Sequence, residues 1–179
     1  MITHGWAGGR SEARYAPHFL ALQGSSLPDA RAVVATVAAE LRACHAAARE
    51  QGGGGAVLVK QILCCVNLSP ELSAEVVRAA EEFGGAGDGA VVGVDLACGE
   101  HHFENAAVFA EHRAAMRRAR DAGLGVTVHA GESGGAANVR AAPAPAFAPH
   151  AALHPRSRAL RLFRTPVRWR SWTQGWRAG

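Results

Sequence analysis

Acidic residues are absent from the final stretch of the chain. All 15 Asp and Glu residues of the 179-residue sequence lie at or before Glu132. Of the 19 Lys and Arg residues, 8 lie from Arg140 onward, and the other 11 accompany those 15 acids. The net charge of +4 therefore belongs to the final stretch, and the preceding part of the chain is net negative. A run of one sign of charge is typical of a solvated or interacting tail, so the two parts are interpreted separately.

The sequence also shows no cysteine pair typical of a zinc site, no secretory signal and no membrane-spanning run. The four cysteines include no C-x-x-C pair, and Cys64 and Cys65 are adjacent, so on a strand they would point to opposite faces. We expect reduced, mostly buried thiols, as in an intracellular protein. No apolar run approaches the roughly 20 residues of a membrane span, and no basic and then apolar segment opens the chain. The sequence favours a cytoplasmic protein without a membrane partner.

Alternating strand and helix patterns are present over most of the chain. Apolar residues make up 49% of it, which is enough for a core. Strands are predicted at 12–20 (stopped by Pro17), 56–67, 90–97 and 126–128. Helices are predicted from the start signal at 26–29 to about residue 50, from Ser69 to about residue 83, and over 105–122. This alternation predicts a parallel sheet with right-handed crossovers, in either an open doubly wound sheet or part of a (β/α) barrel.

The predicted helices also assign several side chains to the core. The first of them is expected to bury a stripe at helical spacing: Val33, Val34, Val37, Leu41 and Cys44. Three histidines are interpreted as ordinary surface or core residues: His18, His45 and His112.

The segment 126–133, with the sequence VTVHAGES, is the strongest candidate for a site. His129 follows a β-branched run, and Glu132 comes three residues later, after a small step that ends in Gly131. Both side chains would then lie at the carboxyl end of a parallel strand, where α/β proteins bind ligands. An imidazole can ligate zinc, and a nearby carboxyl group can move a proton of zinc-bound water. The alternative is a core histidine beside a solvated loop acid.

Four segments together carry a family resemblance. They occur in one order along the chain: EARYAP at 12–17, ILCC at 62–65, VDLACGE at 94–100 and VHAGE at 128–132. The chain resembles the adenosine deaminase family, which comprises zinc-dependent purine deaminases of the amidohydrolase superfamily. The resemblance implies that residues 12–140 form about four βα units, strands two to five, of a (β/α)8 TIM barrel.

The resemblance also implies roles for individual residues. His129 would be a zinc ligand, and Glu132 would protonate the purine ring nitrogen next to the attacked carbon. Gly131 would contact the substrate, as would Cys98, which stands where the family has a glycine close to the base. The implied cofactor is zinc, and the implied partner is a small molecule, adenosine or a related aminopurine nucleoside, rather than a nucleic acid.

Several elements of the family pattern have no counterpart in the sequence. There is no H-x-H pair in residues 1–11, no G-H-G segment after Glu132 and no paired aspartate there. One recognisable metal ligand remains, and a catalytic zinc needs three. We therefore expect a truncated deaminase that is inactive alone, flanked by an unpatterned segment at 1–11 and a disordered Pro-, Arg- and Trp-rich tail at 141–179. Open strand edges would make such a half-barrel poorly soluble or molten.

An alternative function depends on the tail instead of the barrel. The eight arginines from Arg140 onward could neutralise phosphates, and Trp169, Trp172 and Trp176 could stack on bases. The alternative is therefore a non-catalytic interaction or nucleic-acid-binding protein, whose binding would fall steeply with salt and would not need Glu132.

Overall fold

A computed structural model describes residues 9–22, 26–51, 57–66, 70–100, 106–131 and 135–141. Within them the elements follow in this order: β1 (Arg10–Tyr15), α1 (Pro17–Leu22), α2 (Ala30–Glu50), β2 (Leu58–Val66), α3 (Pro70–Glu82), β3 (Val91–Ala97), α4 (Ala106–Asp121), β4 (Gly125–Val128) and α5 (Gly135–Ala141). The expectations for Ser69, for Glu132 and for almost all of 1–11 and 141–179 fall outside the described residues.

The order of the strands decides between the two predicted architectures. All four strands are parallel and lie side by side in sequence order, β1-β2-β3-β4. A doubly wound sheet reverses its strand order and carries helices on both faces. Here α2, α3 and α4 pack side by side, and they share one core with the sheet. The fold is a partial (β/α) barrel, as the resemblance implied.

Strand periodicity divides the sheet into two unlike faces. Leu63, Val94 and Leu96 point toward the helices and are fully buried. The register Cys64↔Asp95↔Thr127 places the intervening residues on the opposite face. That face carries Asp95 and Thr127 together with apolar side chains such as Val66, and it is called the polar face here because the buried carboxylate of Asp95 lies on it.

Helix α2 begins where the sequence signal indicated. Asp29 is its N-cap, with its side-chain Oδ1 accepting a hydrogen bond from the Ala32 N–H at 2.7 Å. The predicted apolar stripe of α2 is partly wrong, because Cys44 is exposed and His45 is buried in its place. The His45 Nε2 atom accepts a hydrogen bond from the Val59 N–H at 3.0 Å, so the imidazole satisfies a donor of the adjacent strand.

The strand predicted within 12–20 stops before Pro17, as expected, but the residues that follow are helical. It ends at Tyr15, and Pro17 begins helix α1 instead of only ending the strand. Proline suits the first position of a helix, because its fixed φ is helical and its missing N–H has no intrahelical partner there. His18 of α1 is buried and contacts Glu75 of α3, with Nε2 3.1 Å from Oε2.

Half of the thiols are buried, fewer than expected. Cys64 and Cys65 are buried on opposite faces of β2, whereas Cys44 and Cys98 are exposed. Burial raises the pKa of Cys64 to about 11 and that of Cys65 to about 12, so both remain thiols near neutral pH.

Within the described part, no helix is long and apolar enough to cross a bilayer.

Candidate active site

A buried carboxylate lies at the centre of the polar face of the sheet. Asp95 is on β3, and its side chain is 1% exposed. Its Oδ2 atom accepts a hydrogen bond from Arg14 Nη1 at 2.8 Å, and its Oδ1 atom lies 3.1 Å from His129 Nδ1. Three elements far apart in sequence therefore meet at one acid.

Parallel pairing explains why these three residues meet. In the sheet register Arg14 is paired with Ile62, two residues before Cys64, and Cys64 is paired with Asp95. His129 lies just beyond β4, and its backbone N–H continues the ladder by donating to the Leu96 carbonyl at 2.9 Å. The ring is thus held both through its backbone and through Nδ1.

The contact with Asp95 orients the His129 ring. Because a carboxylate only accepts hydrogen bonds, the contact requires a proton on Nδ1. In the neutral ring with that proton, Nε2 is the atom with the lone pair that a metal ion or a proton donor would use. The side chain is 27% exposed. A histidine oriented by a carboxylate in this way is typical of metal-ligating histidines.

Burial of Asp95 has a cost that its two partners offset. A carboxylate removed from water needs hydrogen bonds and an opposite charge. Arg14 supplies the charge and the His129 ring supplies the second hydrogen bond, while the Arg14 side chain remains 52% exposed. Asp95 is therefore a paired carboxylate within the sheet and not an isolated buried charge.

The loop after β3 borders the same end of the sheet. Cys98 has a φ of +75°, in the left-handed region that favours glycine. Its thiol is exposed, and it is close enough to Cys64 to contribute, after burial and the Asp95 carboxylate, to the raised pKa of that group. Gly131, after β4, has a φ of +86°. Both turns at the mouth therefore depend on left-handed backbone.

Glu100 and Asn138 join this loop to helix α5. Glu100 is 3% exposed, and its Oε2 atom accepts a hydrogen bond from Asn138 Nδ2 at 2.6 Å. Asn138 is partly buried. The loop that follows β3 is thereby tied to the helix that follows β4.

The described residues cover three of the four predicted site residues. His129, Cys98 and Gly131 all lie at the carboxyl ends of β3 and β4. Glu132 lies outside the described residues. Sequence reasoning did not assign a role to Arg14, Asp95 or Asn138. An acid inside the apolar run of β3 was the available signal, because a buried acid must have partners elsewhere.

A catalytic zinc site needs more ligands than the described residues bring together. Among the described residues no group of three or more His, Cys, Asp or Glu side chains is placed to hold a metal ion. His129 is one suitable ligand, and a catalytic zinc uses three protein ligands and a water. The described part of the chain therefore brings together the imidazole of His129 and the Asp95 carboxylate that orients it, which is not a complete zinc site.

The fold and the position of the site together define a class of protein. The chain is a partial (β/α) barrel with a polar, histidine-containing site at the carboxyl ends of its strands, the usual place for the active site of such barrels. The family model for adenosine deaminase matches residues 9–145. The chain belongs to the adenosine deaminase family.

Two curated relatives show what share of the length of an adenosine deaminase this chain covers. Adenosine deaminase from Bos taurus is 34% identical over 142 residues, which is 73% of this chain and 36% of that protein. Adenosine deaminase from Danio rerio is 35% identical over 133 residues, with 73% of this chain and 36% of that protein covered. The chain spans little more than a third of the length of these relatives.

Proposed function

We propose that this chain is part of a hydrolytic deaminase that converts adenosine to inosine and ammonia. The observation that carries the proposal is the contact of His129 Nδ1 with buried Asp95, beside Arg14, at the carboxyl end of the sheet. Membership of the adenosine deaminase family supports the reaction, since the relatives are named for it.

The reaction needs two contributions from the site. The bond between the ring carbon and its amino nitrogen breaks while a bond from that carbon to a water oxygen forms, and aromaticity resists the attack. Zinc, if held with His129 as one of its ligands, would supply the means to activate a water as the nucleophile near neutral pH. An acid that protonates the adjacent ring nitrogen makes the carbon a better electrophile.

In this proposal the residues of the chain have separate tasks. His129 would ligate the metal through Nε2, while Asp95 holds the other side of the ring. Glu132 would be the acid at the ring nitrogen. The left-handed turn at Gly131 lets the backbone approach the base closely, and Cys98 would border the substrate from the neighbouring loop. We propose further that the chain alone is inactive and lacks the other zinc ligands.

A chimera tests this proposal directly. Residues 9–145 replace the matching segment of the Bos taurus relative, and adenosine deamination and zinc content are measured. We expect a zinc-containing enzyme that deaminates adenosine, and a loss of about 100-fold or more in kcat/KM for Glu132→Gln. His129→Ala should lower both zinc content and activity, whereas Thr127→Ala, at an exposed position of the same strand, should retain both. A folded, zinc-loaded chimera without deaminase activity would contradict the proposal.

The isolated chain gives the complementary measurement. Zinc titration of the isolated chain should show no stoichiometric tight site, because no three ligating side chains come together among the described residues. The alternative function, nucleic-acid binding by the Arg- and Trp-rich tail, concerns residues outside the described part and stays a prediction. Salt-dependent RNA binding by the chain would favour it.

A further inference from the structure

The two carboxylate oxygens of Asp95 contact different partners. Oδ2 accepts the hydrogen bond from Arg14 Nη1 at 2.8 Å, while Oδ1 lies 3.1 Å from His129 Nδ1. Because a carboxylate offers acceptor sites on both oxygens, the two partners do not compete for it. The Asp95 side chain is 1% exposed, so water has little access to either oxygen. The Arg14 contact is therefore part of the surroundings that determine how the carboxylate meets the histidine ring.

A contact at one oxygen alone would leave the carboxylate loosely oriented. The terminal torsion of an aspartate side chain is broad, so a second contact at Oδ2 is needed to fix the plane of the carboxylate. The terminal torsion of a histidine is broad in the same way. The bond from the His129 N–H to the Leu96 carbonyl holds the main chain, whereas the contact at Nδ1 holds the ring. Arg14 thus restrains the group that restrains the ring.

Arg14 reaches Asp95 across an intervening strand. Strand β2 lies between β1 and β3, and two strand spacings amount to roughly 10 Å. The guanidinium passes near Cys64 of β2, whose pKa is raised mainly by burial and further by Asp95, and is lowered in part by Arg14. The Arg14 side chain is nevertheless half exposed. Replacing it therefore removes the contact with Asp95 without opening a cavity in the apolar core.

We propose that Arg14 is a positioning residue, which fixes the Asp95 carboxylate and thereby holds the His129 ring with a proton on Nδ1 and Nε2 directed away from Asp95. Carboxylates that orient a histidine are themselves usually held by hydrogen bonds, and Arg14 supplies such a bond here. The use of Nε2 by a metal ion rests on the proposed function, whereas the state of the ring does not.

Nitrogen-15 spectra of the histidine rings test the proposal on the chain itself. They are recorded at about pH 8, where neutral histidine predominates, and the His129 signals are identified by their loss in His129→Ala. In the unsubstituted chain we expect the Nδ1–H form of this ring to predominate. Arg14→Met removes the charge and the donors, and the ratio of the Nδ1–H to the Nε2–H form should then fall about tenfold or more, because the bond to the charged acceptor is weakened.

Two further variants separate positioning from a general effect of charge or of stability. Arg10→Met is the matched control, since Arg10 is exposed on the same strand and lies roughly 13 Å before Arg14. It removes the same charge and should leave the ratio within about twofold of the unsubstituted chain, because distant exposed charges are screened. Arg14→Lys keeps a charge and a donor, so it should restore the ratio to within about threefold.

The ring state and the stability of the fold are measured on the same variants. A folded Arg14→Met chain that keeps the Nδ1–H form, even with a lower free energy of unfolding, would show that Arg14 acts on stability alone. An equal fall in Arg10→Met, no rescue in Arg14→Lys, or an unsubstituted chain with the proton on Nε2 would also overturn the proposal. If Arg14→Met does not fold, Arg14→Gln removes the charge in its place, and the ratio should fall in the same direction.

The chimera described above gives an independent outcome. An inactive chimera removes the proposed function and leaves the ring measurements on the chain unchanged. Conversely, an active chimera beside an Arg14→Met chain with an unaltered ring removes the positioning role of Arg14 and retains the proposed function.

Discussion

The two faces of the sheet use the same strands for different purposes. On the helix-facing side Leu63, Val94 and Leu96 are fully buried and pack with apolar residues of α3 and α4. On the other side Asp95 is just as buried, yet it is surrounded by hydrogen-bonding groups from Arg14 and His129. Neighbouring residues of β3 therefore face an apolar core and a charged site, a separation that a strand period of two makes possible.

The comparison shows where stability and chemistry are located in this molecule. The helix-facing side gains free energy from apolar burial, which does not depend on direction. The polar side gains little net free energy from its ion pair, because desolvation offsets the attraction. We therefore expect substitutions on the two sides to differ in what they change, stability on one and the histidine site on the other.

The largest expected effect tests the apolar side. Leu96→Ala should lower the free energy of unfolding by about 2–5 kcal/mol, because a fully buried leucine leaves a cavity. Urea unfolding followed by circular dichroism measures the change. Thr127→Ala, at an exposed position on the polar face, should lie within about 0.5 kcal/mol of the unsubstituted chain. Similar losses for both variants would mean that the two faces are not distinct in packing.

An intermediate effect concerns a buried histidine among the helices. His112 of α4 is fully buried with its Nδ1 2.8 Å from Ser73 Oγ, and burial lowers its pKa below the ordinary 6.5, against a smaller raising effect of Glu71. The unfolded chain therefore binds a proton at this residue more readily than the folded chain. Its contribution to stability is complete well above pH 6.5 and is lost as the pH falls from 6.5 toward the lowered pKa.

The corresponding measurement is the free energy of unfolding between pH 8 and pH 5. Below pH 6.5, His112 should make the free energy of unfolding change with pH by up to about 1.4 kcal/mol per pH unit. In His112→Gln that part of the slope should disappear, and what remains is due to the other histidines and the carboxylates. An unchanged slope in the variant would show that His112 is accessible to protons in the folded state.

The smallest effect belongs to the mouth of the site. Cys98→Gly should raise the free energy of unfolding by up to about 1 kcal/mol, because the φ of +75° strains a residue that has a Cβ. Cys98→Ala removes the thiol but retains the strain, and it should stay within about 0.5 kcal/mol of the unsubstituted chain. Equal stabilisation by both variants would assign the effect to the thiol instead of the backbone.

Much of the architecture could be predicted from local pattern. The start of α2 at the Asp29 cap and the runs of β2 and β3 follow from capping chemistry and strand periodicity, which act over a few residues. Helices α1 and α5 were missed, because Pro17 is equally compatible with the end of a strand and the start of a helix, and 135–141 has no apolar stripe.

The candidate site was predictable only in part. His129 was identified from its place after a β-branched run. Its partner Asp95 lies 34 residues away in the sequence, and Arg14 lies 81 residues from Asp95, so no local pattern joins the three. The exposure of Cys44 was wrongly predicted, because the apolar stripe of α2 does not indicate which side of that stripe packs against the sheet. Burial of His45 depended on its contact with the Val59 N–H of β2.

By itself the sequence determined the alternation of strands and helices, the family motifs and the identity of the histidine at the end of β4. The tertiary structure alone decided that the strands lie in sequence order, that Asp95 joins Arg14 to His129, and that Glu100 meets Asn138. The reason is physical. Propensity and periodicity act over a few residues, whereas strand order and ion pairing depend on which distant surfaces are buried together.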